Sequence, residues 1–149
     1  MAVGLLYDEL FLNHRDPVYS PPECPERLIA IQGALMRAEM RARTANRTAR
    51  PATREEIVRV HDDAYYDHVQ QEVPGQQGHL DPDTFFSAGS WDAALNAAGG
   101  TVDLAVDVLR GEGGLTSGMA LVRPPGHHAE ANRAMGFCIF NNVAVAAAA

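Results

Sequence analysis

Residues 123–138 of the chain read RPPGHHAEANRAMGFC and place two adjacent histidines directly after a Pro-Pro-Gly turn. The apolar residues 119–122 (MALV) precede this segment and predict a strand that ends at the turn. The two prolines lack an N–H and hold φ near ~−65°, so the strand cannot continue through them. A rigid backbone of this kind can direct His127 and His128 into one cleft, whereas adjacent side chains on a strand point to opposite faces.

His127 and His128 in one cleft would suit a water molecule that is held by two nitrogens. One ring can accept a proton from the water while the other stays charged or hydrogen-bonded. The alternative is that one or both are ordinary loop histidines without a chemical role. The spacing favours the functional interpretation and leaves the alternative open.

Short apolar strands alternate with helical segments along the chain. Residues 3–6 predict a first strand, and Leu28, Ile31 and Leu35 have the i, i+3, i+7 spacing of an amphipathic helix. A long helix is predicted over residues 90–110. This alternation predicts an α/β fold with a largely parallel sheet. Ligands of such sheets bind beyond the C-terminal ends of the strands, and the histidine segment occupies such a position.

Helix boundaries are indicated by specific residues. Gly111 ends the long helix, and its predicted buried face has five members. These are Trp91, Leu95, Val102, Ala105 and Val106. Thr53 and Glu56 have the spacing of a capping box, which predicts a helix that begins after Thr53. A further helix is predicted to begin at Asp62 or Asp63.

Three segments are predicted to lack strands or long helices. Residues 74–84 (PGQQGHLDPDT) predict a loop, and the Gly-rich residues 111–118 predict a turn. The arginine-rich residues 37–50 are interpreted as a solvated helix end followed by a loop, in preference to a binding patch. A short helix is predicted after Asn141 or Asn142.

The bulk composition is that of a soluble globular domain. The 149 residues are 46% hydrophobic and 21% charged, which is ordinary for a single domain of this size. The net charge of −7 disfavours nucleic acid as a direct partner, and no segment has the roughly 20 apolar residues that span a membrane. Two cysteines are too few for a disulfide framework, and no secretion signal is evident, so we expect a cytoplasmic location.

The other histidines and the cysteines offer weaker alternatives. The remaining histidines are His14, His61, His68 and His79. They form no i, i+4 pair and no H-E-x-x-H motif, whereas a zinc site needs three or four ligands. A metal-independent thiol hydrolase would use Cys138 together with His128. The apolar surroundings of Cys138, GFCIFNN, favour a buried, inert thiol instead.

Residues 121–147 (LVRPPGHHAEANRAMGFCIFNNVAVAA) closely resemble the active-site segment of the histone deacetylase family, in particular the class II enzymes and bacterial relatives that include acetylpolyamine amidohydrolases. The resemblance continues in residues 7–14, 21–35 and 80–112 and so covers essentially the whole chain. It implies an arginase-like α/β domain with a central parallel sheet. It also implies that zinc and a bound water hydrolyse the acetamide of an acetylated lysine side chain or an acetylated small amine.

The resemblance implies roles for individual residues. His128 would be the general base at the metal-bound water, and His127 would be its electrostatic partner. Gly136 and Phe137 would form the wall of the substrate channel, with Phe137 on one side of an aromatic slot. Asp83 would hold the substrate backbone at the rim of the channel.

Arg27, in the sequence PER, would line an internal cavity behind the active site by the same resemblance. The zinc ligands of the family are an Asp, a His and a second Asp, and none of the matched segments contains them. We therefore expect residues 1–149 to be the N-terminal portion of one deacetylase domain, without a metal site and without activity of its own. The alternative is a non-catalytic half-domain that acts only through pairing with another chain. The acyl substrate and the oligomeric state are left open.

Overall fold

In the computed structural model, which describes residues 2–16, 18 and 21–149, strands and helices follow one another along the chain. The strands are β1 (Ala2–Leu6), β2 (Thr44–Arg47), β3 (Gly78–Asp81), β4 (Thr84–Phe86) and β5 (Leu115–Ala120). The α-helices are α1 (Pro25–Arg37), α2 (Arg54–Ile57), α3 (Asp63–Glu72), α4 (Ser90–Arg110) and α5 (Asn142–Ala147). Short 3-10 turns cover Glu9–Asn13, Met40–Arg43 and Glu112–Gly114.

β1 is the central strand of a three-stranded parallel sheet with the order β2-β1-β5. Leu6 at the end of β1 lies opposite Arg47 of β2 and Ala120 of β5, so the three strands end at the same edge of the sheet. Leu5 and Leu6 are buried between the sheet and its helices. The predicted α/β fold with a parallel sheet is confirmed, and the histidine segment leaves the sheet at its C-terminal edge.

The strand before the histidines begins earlier than the apolar residues 119–122 predict. β5 covers Leu115–Ala120 because its register with β1 starts at the pair Ala2–Leu115. The predicted turn over residues 111–118 therefore ends at Gly114. Strand pairing with β1 decides this boundary, and polar side chains in β5 are tolerated because they point to solvent.

β5 is an edge strand of the described sheet, with β1 as its neighbour. Residues 116–119 are exposed. Beside them, an open apolar groove runs between α4, β5 and α5, and Leu109 and Val143 at this surface are exposed. None of the helices in the described part of the chain combines the length and the apolar character that crossing a membrane requires.

The arginine-rich run contains a strand, β2, where a loop was predicted. Parallel pairing with β1 holds it in the sheet. Arg47 at its end donates a hydrogen bond to Asp107 on α4 at 2.7 Å. Arg50 forms ion pairs with Glu56 at 2.7 Å and with Asp103 at 2.8 Å. These two arginines join β2 and the next segment to α4 and α2.

β3 and β4 form an antiparallel hairpin within and just after residues 74–84, so the prediction of a loop there was wrong. Phe85 and Phe86 are buried and fix the hairpin against the core. Gly78 lies beneath the ring of Phe86, where a Cβ would come within 2.9 Å of its Cζ. Glycine, proline and aspartate are typical of loops, so the local sequence predicts a loop here although packing stabilises a strand.

Three predicted helix ends are confirmed: the start of α2, the end of α4 and the start of α5. Thr53 and Glu56 form a complete capping box at the start of α2. Gly111 follows α4 in the left-handed conformation with φ 65°, which glycine adopts at low cost. Asn141 caps α5 by accepting a hydrogen bond from the backbone N–H of Ala144.

The buried face of α4 differs from the predicted one because small residues form most of it. Its buried members are Ser90, Ala93, Ala94, Ala97, Ala98, Gly99, Gly100, Val102 and Leu104. Of the predicted face only Val102 is fully buried; the other four residues are partly buried. The small residues let the chain before α2 approach α4 closely. A Cβ on Gly99 would lie 2.3 Å from the carbonyl oxygen of Arg50 and 2.5 Å from the amide nitrogen of Ala52.

We expect Gly99→Ala to lower the free energy of unfolding by about 1–3 kcal/mol, because the methyl group would collide with rigid backbone. Gly33→Ala on α1 is the matched control. Its Cβ would meet only the flexible end of Arg37, at 3.2 Å, so we expect a gain of about 0.5–1 kcal/mol. Urea denaturation of both variants tests this. A neutral or stabilising effect of Gly99→Ala would contradict the close approach.

Candidate active site

The histidine loop, residues 121–141, connects β5 to α5 and presents two imidazoles to solvent. Its first peptide N–H, that of Leu121, still bonds to the carbonyl of Leu6 at 2.9 Å. The peptide bond before Pro124 is cis. The ring centroids of His127 and His128 are 4.3 Å apart and the ring planes are inclined by 50°. The structure thus brings the two exposed rings together, and their roles in catalysis stay predictions.

Arg123 anchors the start of the histidine loop in the protein interior. Its guanidinium forms a bidentate ion pair with Glu23, with Nε–Oε1 and Nη2–Oε2 distances of 2.7 and 2.8 Å. It also donates hydrogen bonds to the carbonyl oxygens of Phe11 and His14. Both side chains of the pair are buried. Arg123 lies within the sequence motif, but the sequence does not reveal its role because its partner lies 100 residues away.

A tight turn at residues 135–138 supports the ring of His128. Gly136 and Phe137 have φ values of 59° and 65°, as in a type I′ turn, and backbone hydrogen bonds join Met135 to Cys138 in both directions. A Cβ on Gly136 would lie 2.7 Å from Cγ of His128. Glycine is therefore required here twice, for its positive φ and for the contact with the imidazole.

Asp83, at the turn of the β3–β4 hairpin, binds the same tight turn. Its Oδ1 accepts hydrogen bonds from the backbone N–H of Gly136 at 3.0 Å and from the hydroxyl of Thr84 at 2.9 Å. Partial desolvation raises the pKa of this carboxyl, but the hydrogen bonds from Thr84, Gly136 and Phe137 outweigh it and lower the pKa overall. Asp83 is therefore an ionised acceptor that holds the turn in place.

A surface cavity of about 240 Å³ adjoins this turn. Its lining includes Asp83 and Phe137, which were predicted to bind substrate, together with His79, Phe85 and the prolines of the preceding loops. Gly136 connects this cavity to the histidine pair, because its amide contacts Asp83 while its α-carbon contacts His128. The structure therefore brings together His127, His128, Gly136, Phe137 and Asp83.

Cys138 is fully buried beneath the histidine loop. Its Sγ lies 3.5 Å from the backbone nitrogen of His127, whose N–H points to it, and 3.3 Å from the carbonyl oxygen of Gly136. A nucleophile must reach the substrate, and this thiol has no exposed surface. The position supports the inert thiol that the apolar sequence predicted.

Arg27 lies apart from these residues, on the first turn of α1. Its side chain is 56% exposed and its Nη1 is 3.4 Å from Oε1 of Glu23. Because Glu23 also binds Arg123, Arg27 belongs to the ion-pair cluster behind the histidine loop. Its assignment to an internal cavity stays a prediction.

Two buried histidines contact residues of this site. The sequence predicts no role for either of them. His14 stacks on Phe85 with ring centroids 4.3 Å apart, and its Nδ1 is 2.7 Å from Oγ of Ser90. Burial and the nearby guanidinium of Arg123 lower the pKa of His14 to about 3. Burial also lowers the pKa of His61, whose Nε2 accepts a hydrogen bond from a backbone N–H of the histidine loop. No spacing signal marks these rings, since each depends on contacts distant in sequence.

Comparison with known proteins identifies the family. Residues 21–149 match the histone deacetylase domain. The chain belongs to the histone deacetylase domain family. The crystal structure of the HDA15 HD domain superimposes with a TM-score of 0.91 at 38% sequence identity, over 98% of this chain and 42% of that one.

Curated histone deacetylase relatives agree with this family. Histone deacetylase 5 of Arabidopsis thaliana is 40% identical over 157 residues, and polyamine deacetylase HDAC10 of Homo sapiens is 36% identical over 159 residues. These alignments include 97% and 99% of this chain but only 23% of each relative. The chain thus spans about a quarter of the length of the curated relatives it matches.

Members of this deacetylase family depend on zinc. Within residues 2–16, 18 and 21–149, no three or more His, Cys, Asp or Glu side chains are grouped so that they could hold a metal ion. The exposed pair His127 and His128 offers two nitrogens, fewer than a zinc site requires. The described residues therefore do not fit a zinc site.

We expect the 149-residue chain to bind zinc no more tightly than a protein with ordinary exposed histidines. Equilibrium dialysis measures this, with the double variant His127→Ala, His128→Ala as the control for the exposed pair. Stoichiometric binding at submicromolar zinc would contradict the expectation. Persistence of such binding in the double variant would direct attention to His14 and His79.

The lowered pKa values of the buried histidines His14 and His61 predict that the stability of the fold depends on pH. His14 stays neutral in the folded state at any pH well above 3, whereas it is protonated below its ordinary pKa of 6.5 in the unfolded chain. The free energy of unfolding therefore falls as the pH drops below about 6.5, by up to about 1.4 kcal/mol per pH unit. His14→Phe preserves the stack on Phe85 and is expected to flatten the slope between pH 7 and 5 by this amount.

Denaturation at several pH values measures this slope. His68→Gln, on the exposed side of α3, is the control for the loss of an imidazole. A His14→Phe variant that loses stability as steeply as the parent chain would show that another group causes the dependence. The lowered pKa of His61 predicts that part of the slope persists after the substitution.

Proposed function

We propose that this chain supplies the proton-transfer and substrate-lining part of a deacetylase active site, which hydrolyses the acetamide of an acetyl-lysine side chain or of an acetylated small amine. The observation that carries the proposal is the pair of exposed imidazoles, 4.3 Å apart, at the C-terminal edge of a parallel sheet. Membership of the deacetylase family and the name of the polyamine deacetylase relatives support both substrate classes.

In this proposal His128 acts as the general base. A neutral imidazole accepts a proton from the attacking water and then donates a proton to the leaving amine, so the ring is regenerated. His127 lies close enough to stabilise the charged ring of His128 or to hold the water by a hydrogen bond. Polarisation of the acetyl carbonyl requires a further group, which we do not assign to the described residues.

Phe137 and Asp83 line the entrance that the substrate would use. Phe137 projects from the tight turn beside His128 and offers an apolar surface for the methylene groups of a lysine or amine stem. Asp83 at the hairpin turn carries an ionised carboxylate that suits a backbone N–H or a second amine of the substrate. Both groups adjoin the cavity of about 240 Å³.

A non-catalytic half-domain that acts through pairing with another chain is the second candidate. The open apolar groove between α4, β5 and α5 favours it, because contiguous exposed apolar surface is characteristic of interaction sites. This candidate predicts that changes at His128 have no effect on any hydrolytic activity.

A hybrid domain tests the proposed function, in which residues 1–149 replace the aligned segment of the HDA15 HD domain. We expect it to hydrolyse an acetyl-lysine peptide or an acetylpolyamine. His128→Ala should lower kcat by at least about 100-fold, because a positioned general base contributes ~10²–10⁴-fold. KM and zinc content should change little. Phe137→Ala should instead raise KM, and His127→Ala should have an intermediate effect on kcat.

His68→Ala is the control for the removal of an imidazole, since His68 is exposed on α3. A folded hybrid that hydrolyses neither substrate would contradict the proposal. If His128→Ala retains more than about a tenth of kcat, the general base lies elsewhere.

A further inference from the structure

We propose that Asn141 is a positioning residue for His128, because its side-chain amide holds the backbone of the residue that follows His128. The consequence for catalysis rests on the proposed function. The geometric claim concerns this chain alone.

Asn141 makes hydrogen bonds with three different parts of the fold. Its Nδ2 donates to the carbonyl oxygen of Ala129 at 2.9 Å. Its Oδ1 accepts from the backbone N–H of Ala144 at 3.0 Å and so caps α5. Its own backbone N–H donates to Nε2 of His61 at 2.9 Å. The side chain therefore ties the histidine loop to a helix end, while a buried ring holds its backbone.

The neighbouring Asn142 holds the other end of the same loop. This side chain is buried, and its Nδ2 lies 3.4 Å from the carbonyl oxygen of Pro124. The backbone of Gly126 lies against the amide so closely that a Cβ there would be 2.2 Å from Cγ of Asn142. The N–H of Val143 donates to the carbonyl of Gly126 at 3.0 Å. His127 and His128 thus lie between two fixed points, near Gly126 and at Ala129.

The hydrogen bond from Asn141 to Ala129 acts on the backbone one residue after His128. Ala129 is the next residue, and its carbonyl belongs to the peptide that joins Ala129 to Glu130. Movement of this peptide reaches His128 through the two backbone dihedral angles of Ala129. The ring of His128 has little room, because it packs on the α-carbon of Gly136. Catalytic geometry tolerates shifts of only about 0.5 Å. Loss of the Asn141–Ala129 hydrogen bond would therefore displace the imidazole from its place on the tight turn.

Only an amide can make both side-chain hydrogen bonds of Asn141. Aspartate and serine are good helix N-caps and would keep the bond from Ala144. Aspartate has no N–H to offer Ala129, and its carboxylate would face a carbonyl oxygen. Serine is uncharged and too short to span both partners. The two substitutions therefore remove the hydrogen bond to Ala129 and keep the cap of α5.

Nuclear magnetic resonance of the full 149-residue chain tests the positioning. In the parent chain we expect ring-current-shifted Hα resonances for Gly136 and a nuclear Overhauser contact between them and the ring of His128. In Asn141→Asp and Asn141→Ser we expect this shift to move toward its random-coil value and the contact to be lost, while α5 stays capped. Asn132→Asp is the matched control, since Asn132 is an exposed asparagine of the same loop.

The result that overturns the proposal is an unchanged Gly136 shift and an unchanged His128 contact in a folded Asn141 variant. Asn141→Ser decides the question if the carboxylate of Asn141→Asp unfolds the chain. The same substitutions in the hybrid domain should lower kcat by about 10- to 100-fold with KM unchanged, as a misplaced base does. An inactive parent hybrid would reject the proposed function, and the resonance data would still decide the positioning.

Discussion

The buried ion pair between Arg123 and Glu23 is the contact on which the arrangement of the site depends. It joins the start of the histidine loop to the segment before α1, and the same guanidinium holds the carbonyls of Phe11 and His14. A buried charge is tolerated only when it is paired and its donors are satisfied. Removing one partner of such a pair costs about 3–5 kcal/mol, a large fraction of the roughly 5–15 kcal/mol that stabilises a domain. The ion pair therefore anchors the point at which the histidine loop leaves the sheet.

From this anchor the exposed histidines are positioned by backbone contacts rather than by their own side chains. Gly136 lies beneath His128 because the turn at residues 135–138 has two positive φ values, and Asp83 holds that turn through its amide. Asn141 holds the opposite side through Ala129. Hydrogen bonds from Asp83 and Asn141 to the backbone thus hold the loop segments next to the exposed histidines, and catalytic groups need such support.

Several features were predictable because they depend on residues close in sequence. The capping box at Thr53, the glycine end of α4 and the interruption of the strand by two prolines all follow from local backbone chemistry. The resemblance of residues 121–147 to deacetylases led to His127, His128, Gly136 and Phe137, and that of residues 80–112 led to Asp83; the structure brings these five residues together. The boundaries of β2 and β5 were not predictable, since pairing with the distant strand β1 overrides local propensity. β3 was not predicted because its segment is rich in residues that are typical of loops.

Local sequence patterns predicted the fold class, the helix ends and the presence of a rigid turn before two adjacent histidines. Periodicity and local turn chemistry act over a few residues and can be read directly. Contacts between polar groups became evident only in the folded chain: Arg123 with Glu23, Gly136 with both Asp83 and His128, and Asn141 with Ala129. The first two sets of contacts join residues that are far apart in the sequence or depend on the turn at residues 135–138, whose φ values no single residue type dictates. For the buried pair Arg123 and Glu23 the physical basis is the requirement that buried donors and acceptors be satisfied, and this requirement selects partners only after the chain has packed.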